Sequence, residues 1–320
     1  MAKKKVLVCG ATGFIGRNIF ENISNNSQWE VTGVYHERSP FNENDFKWVQ
    51  ADLTQSEEVQ KLLKGVDIII QAAATTSGAK DIVNRPHIHV TDNVIMNSLL
   101  FQAAQKANVS HFIFFSCSIM YPSGPIPLKE TAFKADTDID PNYFGAGWTK
   151  VYLEKMAEFF AGIGPTRYTV IRHSNIYGPY DKFDLERSHV FGATVNKILN
   201  CKDSEITLWG DGSEERDLLY ITDLVDFVRL AIKKQNAPFC LVNIGYGSSI
   251  SITSLTTKII EIAKKDIRIT YDKSKPSIKT KLALDCTKAK HLFGWQPKVA
   301  LKKGIQKTID WYKSNALIVE

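Results

Sequence analysis

The 320-residue sequence predicts an α/β fold: a doubly wound parallel sheet with a smaller C-terminal α/β lobe. Three observations carry this prediction. Short, continuous apolar runs recur along the first half. Helix-like stretches separate them. After about residue 175 the segments shorten and Gly and Pro punctuation increases. A continuous apolar run suits a strand buried on both faces, the condition of a parallel sheet covered by helices on either side.

In chain order, strand-like runs fall at 5–9, 31–35, 66–71, 112–116 and 169–171, and helix-like stretches at 15–24, 57–63, 92–106 and 149–161. Parallel strands joined through helices take right-handed crossovers, so a doubly wound sheet is the simplest topology. The segment 121–141, rich in Pro and acidic residues, reads as a surface loop. Beyond 175, Gly178-Pro179, Gly210-Asp-Gly212, Gly245-Tyr-Gly247 and Lys275-Pro276 punctuate a smaller lobe, some segments of which return to the main sheet. The expected division is 1–175 and 176–320.

Composition narrows the class. With 44% hydrophobic and 23% charged residues, the chain is neither disordered nor fibrous, and its length supports a core without staples. The net charge of +6 is scattered apart from Lys3-Lys4-Lys5, which leaves room for an anionic small ligand and argues against a nucleic-acid partner. Five cysteines, an odd number without a C-x-x-C pair, argue against disulfides or a zinc site and for a reducing cytoplasm. No stretch approaches the roughly 18–20 apolar residues of a membrane span.

The sharpest motif is Gly10-Ala-Thr12-Gly13-Phe14-Ile15-Gly16, directly after the first strand and opening a helix. Glycines there allow a tight turn, close approach of backbone to a pyrophosphate, and close packing of helix on strand, while N–H groups at the helix start face the anion. In this context the motif predicts a dinucleotide-binding domain of the Rossmann type.

The spacing G-x-x-G-x-x-G resembles the extended short-chain dehydrogenase/reductase family, also called the NAD-dependent epimerase/dehydratase family. Further matches are Asp52-Leu53, where that family holds the adenine, Gln71-Ala72-Ala73-Ala74, resembling the fourth-strand turn beside the cofactor, and Asn93 at the next long helix. The end of the second strand reads Tyr35-His36-Glu37-Arg38-Ser39. A carboxylate there favours two ribose hydroxyls and a basic group a 2′-phosphate. Arg38, with His36 and Ser39, tips the reading to NADP, with NAD the alternative.

The second half narrows the resemblance to the GDP-L-fucose synthase-like branch of nucleotide-sugar epimerase/reductases, over nearly the whole chain. The matching segments are Asn175-Ile-Tyr-Gly-Pro-Tyr-Asp-Lys-Phe183, Ser188-His189-Val190, Trp209-Gly-Asp-Gly-Ser-Glu-Glu-Arg216, Asn243-Ile-Gly245, Tyr271-Asp-Lys-Ser-Lys-Pro276 leading to Asp285, Gly294-Trp295 and a closing helix over 304–313. The resemblance implies that Asn175 and Val190 contact the nucleotide sugar, that Lys197, Arg216 and Lys281 neutralise its diphosphate, and that Trp209 packs on guanine. Lys197 as plain surface and Trp209 as ordinary core are the alternatives.

The same resemblance implies a Tyr that passes the proton and a Lys four residues later that holds the ribose and lowers the Tyr pKa. Lys150 matches the lysine, but the residue four before it is Ala146, and a methyl group transfers no proton. Tyr143 lies one turn too far. An introduced Tyr→Ala exchange at 146 is favoured, because the surrounding site is intact; a natural variant, inactive or using another acid, is the alternative. The Ser or Thr position falls on Cys117, a weak donor, with Ser118 able to turn inward in its place. In the synthase-like branch a Cys–His pair epimerises at C3 and C5; His189 matches the histidine, while Ile119 holds the cysteine position. Double epimerisation in that manner is therefore not expected; a single proton abstraction by His189, or none, fits better, with a structural histidine at 189 the alternative. His87 and His89 read as surface, and no third metal ligand is evident.

The function expected is epimerisation or reduction at C4 of a GDP-sugar through a 4-keto species. The alternatives are a 4-epimerase or dehydrogenase that recycles bound NAD, and a non-catalytic nucleotide-sugar binder. The resemblance also implies a homodimer, formed through the helix near Thr149, whose Val151, Met156 and Phe159 serve either the interface or the core.

Overall fold

Apolar runs that show no alternation become strands covered on both faces. The computed structural model describes residues 3–76, 79–275, 278 and 280–315. Its first half lays down β1 (Lys4–Cys9), α1 (Phe14–Ser24), β2 (Trp29–Tyr35), β3 (Lys47–Gln50), α2 (Ser56–Leu62), β4 (Ile68–Gln71), α3 (Ala79–Asn84), α4 (Thr91–Lys106), β5 (His111–Cys117), α5 (Phe144–Ile163) and β6 (Arg167–His173). The second half adds β7 (Asn175–Tyr177), α6 (Val190–Leu199), β8 (Glu205–Trp209), β9 (Glu215–Tyr220), α7 (Ile221–Lys234), β10 (Phe239–Ile244), β11 (Ser249–Ser251), α8 (Ile252–Ala263), β12 (Arg268–Asp272), α9 (Thr287–Phe293) and α10 (Leu301–Ser314).

A seven-stranded parallel sheet runs β3-β2-β1-β4-β5-β6-β10. In register, Val6 lies beside Val31 on one side and Ile68 on the other. The chain winds outward from β1 to β3 and then returns to β4. That reversal opens a crevice beyond the C-terminal ends of β1 and β4, where open α/β sheets bind ligands. Val6, Val8, Ile70, Ile113 and Ile171 pack with α1 and α7 on one face. Leu7, Cys9, Ile69, Phe112 and Val170 pack with α4 and α5 on the other. Each fully buried apolar side chain of this size contributes about 1.5–3 kcal/mol.

From the second half, β10 crosses back to lie beside β6. The remaining strands form two small sheets, β11-β9-β7 and β12-β8.

Four sequence expectations need correction. The helix expected at 149–161 begins at Phe144. A 3₁₀ turn at Pro141–Tyr143, whose Asn142 N–H donates to Asp140 Oδ1 at 2.9 Å, leads straight into it. Its glycines obscured this start, yet packing calls for them: a Cβ at Gly147 would lie 2.9 Å from Ile139 Cγ2. The edge strand β3 escaped notice because its four residues are mostly exposed and carry no apolar run. The segment 121–141 is no free loop. Tyr121 and Ile139 are buried, and Leu128 N–H donates to Ala283 O. Finally, His89 is buried rather than on the surface, and burial lowers its pKa.

Candidate active site

The glycine loop joins β1 to α1 at the crevice. Gly10 has φ +71°, and a Cβ on it would lie 2.7 Å from the Ala73 backbone. A Cβ at Gly16 would lie 2.1 Å from Gly10 O. Gly13 N–H closes the turn onto Gly10 O at 2.9 Å. No side chain caps the start of α1, which leaves its first N–H groups without a side-chain acceptor. Phe14 and Ile15 pack half-buried against the core, and Ala72 N–H donates to Cys9 O. A cradle that tolerates no side chain, at an uncapped helix start, fits a dinucleotide pyrophosphate. Ala74 continues the same turn, pinned by Asn93, whose amide donates to Thr75 O and accepts from Thr75 N–H.

On the adenosine side, Arg38 Nη1 donates to Thr12 O at 3.2 Å, which lays the guanidinium across the glycine loop. His36 holds its place through Gln50, which donates to His36 O. Asp52 Oδ1 accepts from the Thr54 N–H and hydroxyl, and these bonds hold its pKa below the usual carboxylate value. Leu53 beside it is buried.

At the far end of the crevice, Lys150 rises from α5. Its Nζ donates to Phe115 O at 2.9 Å and lies 5.0 Å from the Phe114 ring centroid. Burial lowers its pKa, opposed by the fields of Cys117 and Glu154. Because α5 starts at Phe144, Ala146 sits one helical turn before Lys150 on the same face. Cys117 ends β5 half-exposed; burial raises its thiol pKa and Lys150 works the other way. Ser118, the alternative donor, is buried. Tyr143 stands just ahead of α5. Its phenol packs with Cys117 against the Met120–Tyr121 cluster, and its pKa is raised by burial against the field of Arg216.

The sugar-side residues fall into two groups. Asn175 opens β7 and donates to Asp217 O at 3.3 Å. Arg216 on β9 spends its guanidinium on the carbonyls of Glu215, Ile278 and Thr280, and Lys281 pairs with Glu215 at 2.8 Å. Apart from these, Lys197 on α6 donates to Thr207 O and lies 5.9 Å from the Trp209 ring. The two border a cavity of about 620 Å³ together with Cys201, Thr207 and Asp272. Trp209 is 39% exposed and so is not core. His189 takes the N-cap position of α6 without a capping side-chain bond, with Val190 next to it, and is exposed. Partial desolvation lowers its pKa, together with the fields of the neighbouring Lys182 and His89.

Comparison with known proteins agrees with this geometry. A family model described as the NAD dependent epimerase/dehydratase family matches residues 6–245. The chain belongs to the NAD-dependent epimerase/dehydratase family. It is 28% identical to a GDP-L-colitose synthase of Yersinia pseudotuberculosis, over 96% of this chain and 97% of that one. It is 24% identical to a GDP-L-fucose synthase of Escherichia coli, over 98% of each. Among solved structures it resembles a UDP-glucose 4-epimerase of Thermotoga maritima, with TM-score 0.86, 27% identity and coverage of 98% and 99%.

Two features of this family member escaped the sequence reading. One is a buried ion pair beneath Lys150. Arg172 Nη2 lies 2.6 Å from Glu154 Oε2, and Ser116 and Tyr121 bond to the pair. The spacing of Lys150 and Glu154, one turn apart on α5, was the available signal. The other is His173, at the end of β6 beside Cys117 in register. The strand expected at 169–171 stopped short of it. Among the described residues there is no group of three or more His, Cys, Asp or Glu placed to hold a metal, and no helix long and apolar enough to cross a membrane.

Proposed function

We propose that the protein is an NAD(P)-dependent epimerase/reductase acting at C4 of a GDP-sugar through a 4-keto species, with NADP as cofactor and with Ala146 in place of the catalytic tyrosine. The observation that carries the reading is Lys150 beside Cys117 at the crevice, with Ala146 one turn away on the same face of α5. The first lobe would hold the dinucleotide and the second the nucleotide sugar.

A bound nicotinamide would supply or accept the hydride at C4 of the sugar. Lys150, anchored on Phe115 O, orients the ribose and favours the anionic form of an acid placed at 146. Ala146 supplies no proton. Cys117 donates weakly to the sugar oxygen. Arg38, lying across Thr12, is placed for a 2′-phosphate. Lys197, Arg216 and Lys281 would neutralise the diphosphate, Arg216 and Lys281 giving up their contacts with Thr280 O and Glu215 to do so, and Trp209 would offer its exposed ring to the base. The names of the GDP-sugar relatives support guanine. A homodimer would bury the exposed Tyr152, Phe159 and Ile163 of α5 with Ile95 of α4; Val151 and Met156 pack inward.

Restoring tyrosine, Ala146→Tyr, should raise turnover of a GDP-linked 4-keto sugar with NADPH by roughly 10²–10⁴-fold. Equal turnover of the two forms would sink the reading. A second reading, a 4-epimerase that recycles bound NAD, draws support from the likeness to a UDP-glucose 4-epimerase. It predicts product without net consumption of cofactor. A non-catalytic binder predicts binding without turnover even in Ala146→Tyr.

A further inference from the structure

Arg17 stands one residue beyond the glycine cradle, in the first turn of α1, and its N–H donates to Gly13 O at 2.7 Å. Its guanidinium is sandwiched between two rings. The central carbon lies 3.8 Å from the centroid of Phe41 and 3.8 Å from that of Tyr180, while Nε donates to Glu21 at 2.9 Å. Phe41 is a firm wall. It lies in the connection from β2 to β3, which also carries Arg38, and packs edge-on against Trp48 at 5.0 Å and Phe46 at 5.8 Å. Tyr180 comes from the second half of the chain. Its backbone is left-handed, with φ +67°, which a bulky residue adopts only where its surroundings enforce it.

The chain on either side of Tyr180 is tied down. The Asn18 amide of α1 donates to Pro179 O at 3.0 Å, and Lys182 Nζ donates to Thr76 O at 3.0 Å. Residues 179–182 are therefore a strap joining the segments that leave β1 and β4, between which the crevice opens. The strap continues into the sugar side of the molecule. Phe183 O accepts from Asn196 of α6 at 2.8 Å, and the Tyr180 ring packs edge-on with Trp311 of α10 at 5.0 Å. The same α6 carries Lys197 to the cavity beside Trp209.

We propose that Arg17 is a positioning residue that relays occupancy of the dinucleotide site to the strap and, through it, to α6. An anion held at the start of α1 fixes the first turn and with it the guanidinium. Stacking on that fixed plane keeps Tyr180 left-handed and the strap seated. In the empty protein Arg17 moves more freely, Tyr180 relaxes to negative φ and the strap lifts. The dinucleotide therefore binds first and orders the part of the chain that receives the nucleotide sugar. This inference rests on the dinucleotide half of the reading above and is independent of the sugar and of the chemistry at C4.

The test is amide hydrogen–deuterium exchange of the full chain, followed by mass spectrometry, alone and with saturating NADPH or NADH. A dinucleotide that binds should slow exchange over 179–184 about fivefold or more, the lower end of ordinary coupling between sites. Tyr180→Phe keeps the ring and should behave as the parent does. Tyr180→Gly suits the left-handed backbone but removes the ring, so it should fold, bind the dinucleotide and lose the slowing. Arg17→Gln should do the same. Thermal melting and fluorescence titration report folding and dinucleotide binding in each variant. Slowing that persists in dinucleotide-bound Tyr180→Gly or Arg17→Gln overturns the inference, since a cofactor that merely covers the strap would protect it without the stack. Loss of slowing in Tyr180→Phe, or its absence in the dinucleotide-bound parent, overturns it too. Failure of both dinucleotides to bind the parent overturns the dinucleotide reading itself, and this inference with it.

Discussion

The two ends of the central sheet use the same residue types for opposite purposes. At the N-terminal end, His111 on β5 bonds Thr169 of β6 and is sealed from solvent. At the C-terminal end of the same strand pair, Cys117 and His173 lie side by side in register and each keeps part of its surface accessible. The sealed end is solved by packing. The open end is held by the Glu154–Arg172 pair and the glycine cradle. Alanine at 146 and isoleucine at 119 stand there in an otherwise complete fold.

The largest effect expected from breaking this contrast is loss of the support beneath the open end. Glu154→Ala leaves the Arg172 guanidinium buried and unpaired, and should cost about 3–5 kcal/mol in urea unfolding. At the sealed end, burial pulls the pKa of His111 from 6.5 to about 3. The unfolded chain binds the proton first as pH falls, so this site's stability is full above pH 6.5 and is lost on the way down to pH 3. His111→Leu should flatten unfolding free energy against pH across that window; an unchanged slope would show that His111 is not sealed.

Between these lies the cradle. Gly16→Ala must move Gly10 O, so we expect about 1–3 kcal/mol of strain and a clear weakening of dinucleotide binding by fluorescence titration. Arg38→Ala should weaken NADPH about tenfold and leave NADH unchanged, since a charged hydrogen bond is worth about 1.5 kcal/mol. Equal losses for both cofactors would remove Arg38 from the 2′-phosphate. Smallest is the exposed Lys47–Glu30 pair where β3 begins, which should contribute less than about 1 kcal/mol when Lys47→Ala is melted.

Legibility in the sequence follows the same division. The glycine cradle could be read because backbone geometry dictates residue type: only glycine fits where a Cβ meets Gly10 O or the Ala73 backbone. The parallel sheet could be read because burial on both faces leaves uninterrupted apolar runs. Lys150 was legible, whereas the start of α5 was hidden by glycines that local propensity disfavours and packing against Val90 and Ile139 requires. Arg172–Glu154 and His173 were not legible, because a polar residue at a strand end looks the same in sequence whether it meets water, an ion pair or a ligand. Only strand register distinguishes these.

One further consequence concerns the order in which the chain is made. The sheet edge at β6 is covered by β10, whose first residue, Phe239, lies 66 residues beyond His173, the last of β6. During synthesis β6 therefore waits with an unpaired row of backbone groups until β10 has left the ribosome. Nascent chains ending before Phe239 would present that edge to one another, and the exposed Ile and Val of a half-made sheet are the surface on which a chaperone would be expected to act.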